Sequence, residues 1–263
     1  MDRIRLIASD MDATLLDEQS QLPADFEETI HALAELGIRF APASGRPLYT
    51  LEAMFPTLQD ELVFIGDNGG AIRWKGQNLF TSEMSPEGWR ALNRLTREQG
   101  DIAVLCGLES AYVERPFAVH DAVLRHFYTK IEYVDRLEDV AAPADKFTIY
   151  LPQHNAQQAY DTVYASQRSI YSVAVAGECW VDIMNPGVHK GAALQTLGQL
   201  WGLPSESIMA FGDTYNDAEM LQTVRYGFLM ENGSEPLRQK VPFLAPSHRE
   251  AGVMQVLHLS LIH

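Results

Sequence analysis

The stretch Ile4-Arg5-Leu6-Ile7-Ala8-Ser9-Asp10-Met11-Asp12-Ala13-Thr14-Leu15-Leu16-Asp17 decides how this chain is read. Its apolar first half has the length and composition of a strand buried on both faces, which puts Asp10 at the strand's carboxyl end. Open α/β sheets bind their ligands at such ends. If the chain stays extended, alternation of side chains lets Asp10 and Asp12 face the same way. Two carboxylates so placed suit one shared phosphate or one cation, but they equally suit a solvated acidic turn. The rest of the chain has to decide.

Working outward, Leu22-Pro23-Ala24-Asp25 opens a helix that runs to Leu36 and stops at Gly37, with Ile30, Leu33, Ala34 and Leu36 on its expected inner face. Ile38 to Ala43 reads as a strand running into Ser44-Gly45-Arg46, and Pro47 opens the next helix. A third strand, Leu62 to Ile65, reaches Gly66-Asp67-Asn68-Gly69-Gly70, and a hairpin about Lys75-Gly76-Gln77 follows. From about Ser82 the βα rhythm breaks. A helix from Ser85 to near Gly100 precedes candidate strands at Ile102 to Cys106, Ala111 to Glu114, Ile131 to Val134, Lys146 to Leu151, Ser169 to Ala176 and Cys179 to Met184. With helices near Phe117 to Lys130 and Asn155 to Gln167, this segment fits an antiparallel sheet with helices on one face, a second domain inserted into the first. After Asn185-Pro186-Gly187 the rhythm resumes. Lys190 to Trp201 is a helix with Ala193, Leu194, Leu197 and Leu200 inward, and Ile208 to Phe211 is a strand ending in Gly212-Asp213-Thr214-Tyr215-Asn216-Asp217. A helix to Val224, a strand from Gly227 to Met230, a short edge strand at Phe243-Leu244 and last helices at Glu235 to Lys240 and Gly252 to Leu259 complete the α/β domain.

The 263 residues carry a formal charge of -15, which speaks against nucleic acid or an anionic membrane as partner, because phosphate backbones are bound by neutralising them. Met1 to Arg5 lead directly into a short strand without the features of a signal peptide, and no later run is long enough to span a bilayer, so a cytoplasmic location is expected. Cys106 and Cys179 lack metal-ligand spacing and read as buried thiols.

Four loops at strand ends or helix starts could carry chemistry: Asp10 to Thr14, Ser44 to Arg46, the segment with Lys190, and Gly212 to Asp217. Taken singly, Ser44 suits a helix cap, Lys190 a solvated helix start, and Gly212 to Asp217 a turn with a capping carboxylate. Together they specify phosphoryl transfer. Asp10 is a candidate nucleophile. A carboxylate that approaches a phosphate dianion is repelled, so a cation and fixed donors must offset the charge. Asp213 and Asp217 offer hard oxygen ligands suited to Mg²⁺. Ser44, backbone N–H groups of its loop and Lys190 would hold the phosphoryl oxygens, and Asp12 would protonate the leaving oxygen and then activate water.

Asp10-Met11-Asp12-Ala13-Thr14-Leu15-Leu16-Asp17, Ala43-Ser44-Gly45-Arg46-Pro47, His189-Lys190-Gly191 and Gly212-Asp213-Thr214-Tyr215-Asn216-Asp217 resemble the four ordered motifs of the haloacid dehalogenase superfamily. The resemblance is closest to its Cof-type phosphatases. It implies a doubly wound, Rossmann-like parallel-sheet core over residues 1–82 and 186–263, with an α/β cap inserted over residues 83–185 that sets substrate specificity. It further implies Mg²⁺ held by the side chains of Asp10 and Asp213 and the main-chain carbonyl of Asp12, with Asp217 in support. Asn216 would position phosphate or Lys190, Gly45 and Arg46 would join Ser44 at the phosphate, and Asn68 would face the substrate channel.

One departure stands out: Ala13 occupies the position where glycine is most common, and its methyl group would strain a turn that needs positive φ. Arg46 suits either a substrate contact or a structural ion pair, and His189, Arg115, His120, Arg125 and His126 read as surface residues. The expected activity is Mg²⁺-dependent hydrolysis of a small phosphorylated metabolite, sugar phosphates foremost, by a monomer or homodimer. A phosphomutase or phosphotransferase using the same carboxylates, or a non-catalytic sensor phosphorylated on Asp10, are the alternatives.

Overall fold

The first strand, β1 (Leu6–Asp10), is buried along its whole length, because it lies inside a sheet covered on both faces. Leu6 and Ala8 pack into one hydrophobic cluster and Ile7 into another on the opposite side. By the same alternation Asp10 emerges on the Leu6 and Ala8 side. The computed structural model describes residues 4–262. Met1 to Arg3, read above as the lead into the first strand, lie outside the described residues.

After β1 come α1 (Phe26–Glu35), β2 (Arg39–Ala43), α2 (Leu48–Ala53), β3 (Val63–Gly66) and the strands β4 (Ala71–Trp74) and β5 (Gln77–Thr81). The middle of the chain forms α3 (Pro86–Gln99), β6 (Ile102–Gly107), β7 (Ala111–Glu114), α4 (Asp121–Phe127), β8 (Ile131–Val134), β9 (Ala144–Tyr150), α5 (Ala156–Asp161), β10 (Ser172–Val175) and β11 (Trp180–Met184). The last third supplies α6 (Lys190–Trp201), β12 (Ile208–Gly212), α7 (Ala218–Thr223), β13 (Tyr226–Met230), β14 (Phe243–Ala245) and α8 (Gly252–Ile262).

Two sheets result. The larger has the order β14-β13-β12-β1-β2-β3-β4-β5, parallel from β14 to β3 and closed by the antiparallel β4 and β5. The chain moves outward from β1 to β3 on one side and from β12 to β14 on the other. The carboxyl ends of β1 and β12 therefore flank a topological switch point, where such sheets form a crevice. α1, α2 and α8 pack on the face that holds Ile7, Phe40 and Phe64. α6 and α7 cover the face that holds Leu6, Ala8 and Ala41, which is also the face on which Asp10 emerges.

The smaller sheet has the order β10-β11-β9-β6-β7-β8, antiparallel except for the β7–β8 pair. α3 and α5 cover one face, with Trp89, Leu92, Ala156 and Ala159 against Leu105, Phe147 and Ile149. Helices on one face only were expected, but α4 lies on the other, where Leu124 and Tyr128 pack against Ile102, Val104 and Cys106 together with Tyr49 of α2. The reason is the composition of β6, which is apolar on both sides and so has to be covered on both. Among the described residues no helix is long and apolar enough to cross a membrane.

The inner faces of two helices differ from expectation at their ends. α1 buries Phe26, Thr29, Ile30 and Leu33, whereas Ala34 is exposed and Leu36 falls beyond the last turn with 55% of its surface exposed. In α6, Leu200 is 54% exposed, and Trp201 packs edge-on against Trp74 at 5.4 Å instead. Leu197→Ala should therefore lower the unfolding free energy by about 2–5 kcal/mol, the range for a filled core position. Leu200→Ala should cost less than about 0.5 kcal/mol. Urea denaturation of the two variants checks this, and equal losses would contradict the observed packing.

Candidate active site

The charged centre is built from the ends of β1 and β12 and the start of α6. Asp10 closes β1. β12 ends at Gly212, where a Cβ would stand 2.5 Å from the Cβ of Asp217, so only glycine lets Asp217 fold back against the strand end. Held there, Asp217 Oδ2 accepts from the backbone N–H groups of Asp213 (3.0 Å) and Thr214 (3.2 Å). Lys190 is the first residue of α6, and its Nζ donates to Asp217 Oδ1 at 2.7 Å and to Asp10 Oδ1. Gly191 makes this approach possible: a Cβ there would meet the Glu219 backbone at 2.7 Å. His189 caps α6, its Nδ1 accepting from the Ala192 N–H at 3.1 Å.

Lys190 and Asp217 have no exposed surface and Asp10 almost none. Burial pushes the Asp10 carboxyl well above the usual carboxylate range, and the neighbouring Asp217 charge adds to this, while Lys190 opposes it. Burial and then Asp217 push Asp213 up to about 7. For Lys190, burial works toward the neutral amine, but Asp10 and Asp217 more than offset it and hold the ammonium above its ordinary value. Carboxylate oxygens of Asp10, Asp213 and Asp217 lie within 4.8 Å of one another. So many acidic oxygens against one ammonium make a donor set that fits a hard divalent cation.

The Asp12 side chain does not join this cluster. The backbone leaves the extended conformation after Asp10 and turns over Met11–Leu15, so the strand alternation that would align Asp12 with Asp10 ends there. The Asp12 carboxylate, 56% exposed, pairs with Arg46 Nη2 at 2.9 and 3.2 Å. Of the two roles open to Arg46, the ion pair is the one observed. Ala13 sits in the same turn at φ 59°, ψ 14°, the left-handed region in which its methyl group is strained. Asn232 Nδ2 braces that turn by donating to Ala13 O at 2.8 Å, and Thr14 Oγ1 donates to Asp213 Oδ1 at 3.4 Å.

Ser44 is buried beside this centre, and its Oγ accepts from the Arg46 N–H at 3.1 Å, which leaves its own O–H free to donate. Gly45 packs on the amide of Asn68. Asn216 Nδ2 donates to Asn68 Oδ1 at 3.5 Å, while its own Oδ1 is buried without a partner among the described residues. Arg115, His120, Arg125 and His126 all lie between β7 and β8, with partners nearby: Arg115 with Asp135, Arg125 with Asp121, and the two histidines against Tyr150 and Phe127.

A second buried group was not anticipated. Lys146, Thr148 and Asp182 project from the smaller sheet toward Asp67 and Asn68. Lys146 pairs with Asp67 at 2.9 Å, Asn68 Nδ2 donates to Asp182 Oδ2 at 3.2 Å, and Thr148 Oγ1 donates to Asp182 Oδ1 at 2.7 Å. The available signal was a charged residue within a strand-like run, at Lys146 before Phe147 and at Asp182 between Val181 and Ile183. Next to them Asp145 is fully buried, and desolvation, reinforced by Asp67, raises its pKa well above normal.

A switch-point crevice lined by acidic side chains and one buried lysine is equipped to hold a cation and, beside it, an anionic group. The chain belongs to the haloacid dehalogenase-like hydrolase family, which matches it over residues 7–257. It is 31% identical over 264 residues, covering 99% of this chain and 97% of the other, to the 5-amino-6-(5-phospho-D-ribitylamino)uracil phosphatase YbjI of Escherichia coli K12. It is likewise 31% identical over 249 residues to the HMP-PP phosphatase of Cronobacter sakazakii, with 91% and 89% of the two chains covered. The solved structure of SMU.1108c from Streptococcus mutans matches with a TM-score of 0.89 at 28% identity, over 99% of this chain and 100% of that one. The protein is a phosphatase of this family.

Two outcomes test the geometry. Ala13→Gly removes the strain of a methyl group at positive φ but adds chain entropy, so stability should change by less than about 1 kcal/mol. Ala13→Val should lose about 1–2 kcal/mol in thermal unfolding. Asp145 binds a proton in the folded state at pH values where the unfolded chain has released it, so its contribution is present at low pH and is lost as pH rises toward the raised folded pKa. In Asp145→Asn that loss should vanish, and as pH rises above the ordinary aspartate range stability should fall less steeply than in the wild type, by at most about 1.4 kcal/mol per pH unit. Denaturant titrations at several pH values would show it, and parallel curves would refute it.

Proposed function

We propose that the protein hydrolyses small phosphomonoesters with the help of Mg²⁺, through an aspartyl phosphate on Asp10, and that residues 83–185 act as a cap over a core of residues 1–82 and 186–263. The observation that carries this reading is the Lys190 ammonium lodged between Asp10 and Asp217, with Asp213 alongside, at the switch point of the larger sheet. Sugar and polyol phosphates are the leading substrate class. The Escherichia coli relative, by its name, removes phosphate from a ribityl chain.

In this reading Asp10 and Asp213 would hold the Mg²⁺ ion together with the Asp12 main-chain carbonyl, and Asp217 would support the site. When bound, the ion supplies the positive charge that lets a carboxylate meet a phosphate dianion. Lys190 works against the upward pull of burial and Asp217 on the Asp10 carboxyl, which favours the ionised form. An Asp10 carboxylate oxygen attacks phosphorus and the ester oxygen leaves, taking a proton from the Asp12 carboxyl. Water then gives a proton back to Asp12 as it attacks the acyl phosphate, which releases inorganic phosphate and restores Asp10. Ser44 O–H and the N–H groups of its loop donate to the phosphoryl oxygens, with Asn216 beside them. Because Asp12 is exposed, turning it from Arg46 toward substrate costs little, and Arg46 becomes available to the phosphate.

A phosphate-release assay over a panel of phosphorylated metabolites should show turnover that disappears when Mg²⁺ is chelated. Asp10→Asn should abolish it, and comparable activity in that variant would sink the mechanism. Asp12→Asn should lower kcat by about 10²–10⁴, the usual contribution of general acid–base catalysis.

A further inference from the structure

The loop Ser44-Gly45-Arg46 has each of its three carbonyls engaged. Ser44 O accepts from the Asn68 N–H and Arg46 O from the Asp67 N–H, both at 2.9 Å and both from the larger sheet's own loop. Gly45 O is held differently: it accepts at 2.6 Å from Lys146 Nζ, which reaches over from β9 in the smaller sheet. The peptide that carries this carbonyl also carries the Arg46 N–H, and in a planar trans peptide the two point in opposite directions. That N–H donates to Ser44 Oγ at 3.1 Å. One rigid unit therefore runs from the Lys146 ammonium, through the Gly45–Arg46 peptide, to the hydroxyl of Ser44.

The setting of Lys146 fits a charge that does more than fill space. It is 2% exposed, and burying an ammonium is costly unless it is well paired. Its partners are Asp67 at 2.9 Å and Asp182 at 3.7 Å, one on each side of the gap between the sheets. Burial works against its charge, but Asp182 and Asp67 prevail and hold it protonated. An ammonium bound to a carbonyl polarises the peptide and strengthens the N–H at its other end.

We propose that Lys146 is a positioning residue: through the Gly45–Arg46 peptide it orients the Ser44 hydroxyl, so that the phosphate-binding loop takes its working shape only when the smaller sheet is closed onto the larger. This rests on the phosphatase reading above, in which Ser44 donates to the phosphoryl group. Closure over substrate and assembly of the phosphate site are then one event, and a chain with the smaller sheet swung away holds phosphate weakly. Product release follows from the same link, since breaking the Lys146 contact loosens the loop.

The test is calorimetric titration of the full chain with inorganic phosphate in the presence of Mg²⁺, with a thermal melt of each variant to confirm folding. Lys146→Met should weaken phosphate binding by about tenfold, the scale of one charge-assisted hydrogen bond. Ser44→Ala should weaken it by a similar factor, and the double variant should bind within about twofold of Ser44→Ala alone, because both changes remove the same interaction. Thr129→Val, which removes a hydroxyl contact between the turn before β8 and Thr50 of α2 without touching Gly45, should bind as the wild type does. If the methionine variant does not fold, Lys146→Gln, which keeps a donor but shortens its reach, takes its place with the same expectation. Wild-type affinity in the Lys146 variant, multiplying losses in the double variant, or an equal loss in Thr129→Val would overturn the proposal. A wild-type protein that neither binds phosphate nor releases it from any phosphomonoester would instead overturn the phosphatase reading itself.

Discussion

Lys190 carries its charge where no solvent reaches it, and the layout of the core follows from how that charge is answered. An ammonium taken out of water loses several kcal/mol of hydration even after relaxation, and a carboxylate beside it recovers this only with good geometry. Asp10 supplies that geometry from the end of β1 and Asp217 from the turn between β12 and α7, one on each side of the switch point. Asp217 in turn has its second oxygen tied to two backbone N–H groups, which fixes its rotamer and spares a buried lone pair. Remove the lysine and two buried carboxylates face each other beside Asp213. Gly212 and Gly191 have no side chain because the carboxylate and the helix start must come this close.

Much of this was readable in the linear sequence, for a physical reason. Asp10, Lys190, Asp213 and Asp217 each sit where one regular element ends or the next begins, and those boundaries are marked locally by apolar runs, glycine and proline. The parallel core was equally plain, since strands buried on both faces show as unbroken apolar segments between helical periods. What failed were inferences that carried a local period past the point where the backbone keeps it. Asp12 was aligned with Asp10 on the assumption of extended chain, and the turn at Met11 rotates it to Arg46. Leu36 and Leu200 continue a helical pattern past the end of the surface it packs on, so both lie in solvent.

The contacts between the two sheets were illegible for a different reason. Lys146 meets the Gly45 carbonyl across 101 positions of sequence, and no local pattern announces a partner that far away. The hint was negative: a lysine and an aspartate at buried positions of strands whose neighbouring residues include Phe147, Ile149, Val181 and Ile183. Such a residue is either an error of assignment or a group with a buried partner. Here the two hints answer each other and are shared with Asp67 and Asn68, so the gap between the sheets is lined by charge and amide where packing alone would favour hydrocarbon.

The turn that follows Asp10 shows how the chain sustains a conformation its own sequence disfavours. At φ 59° Ala13 lies in a region that costs an L-residue about 1–2 kcal/mol, and glycine would avoid most of that cost. The turn persists because its surroundings over-determine it, as is common for strained backbone at functional sites. Asn232 donates to the Ala13 carbonyl from 219 positions away, and its Oδ1 accepts from the His248 N–H at 3.0 Å. Met11 and Leu15 are locked into the core on either side. A hydrogen bond of this kind contributes about 0.5–1.5 kcal/mol net, the same order as the strain, so the two roughly balance. Alanine also denies the unfolded chain the freedom glycine would give it, which returns part of the difference. The loop that presents Asp10 is thus set by the last third of the chain, and its shape depends on that segment being folded in place.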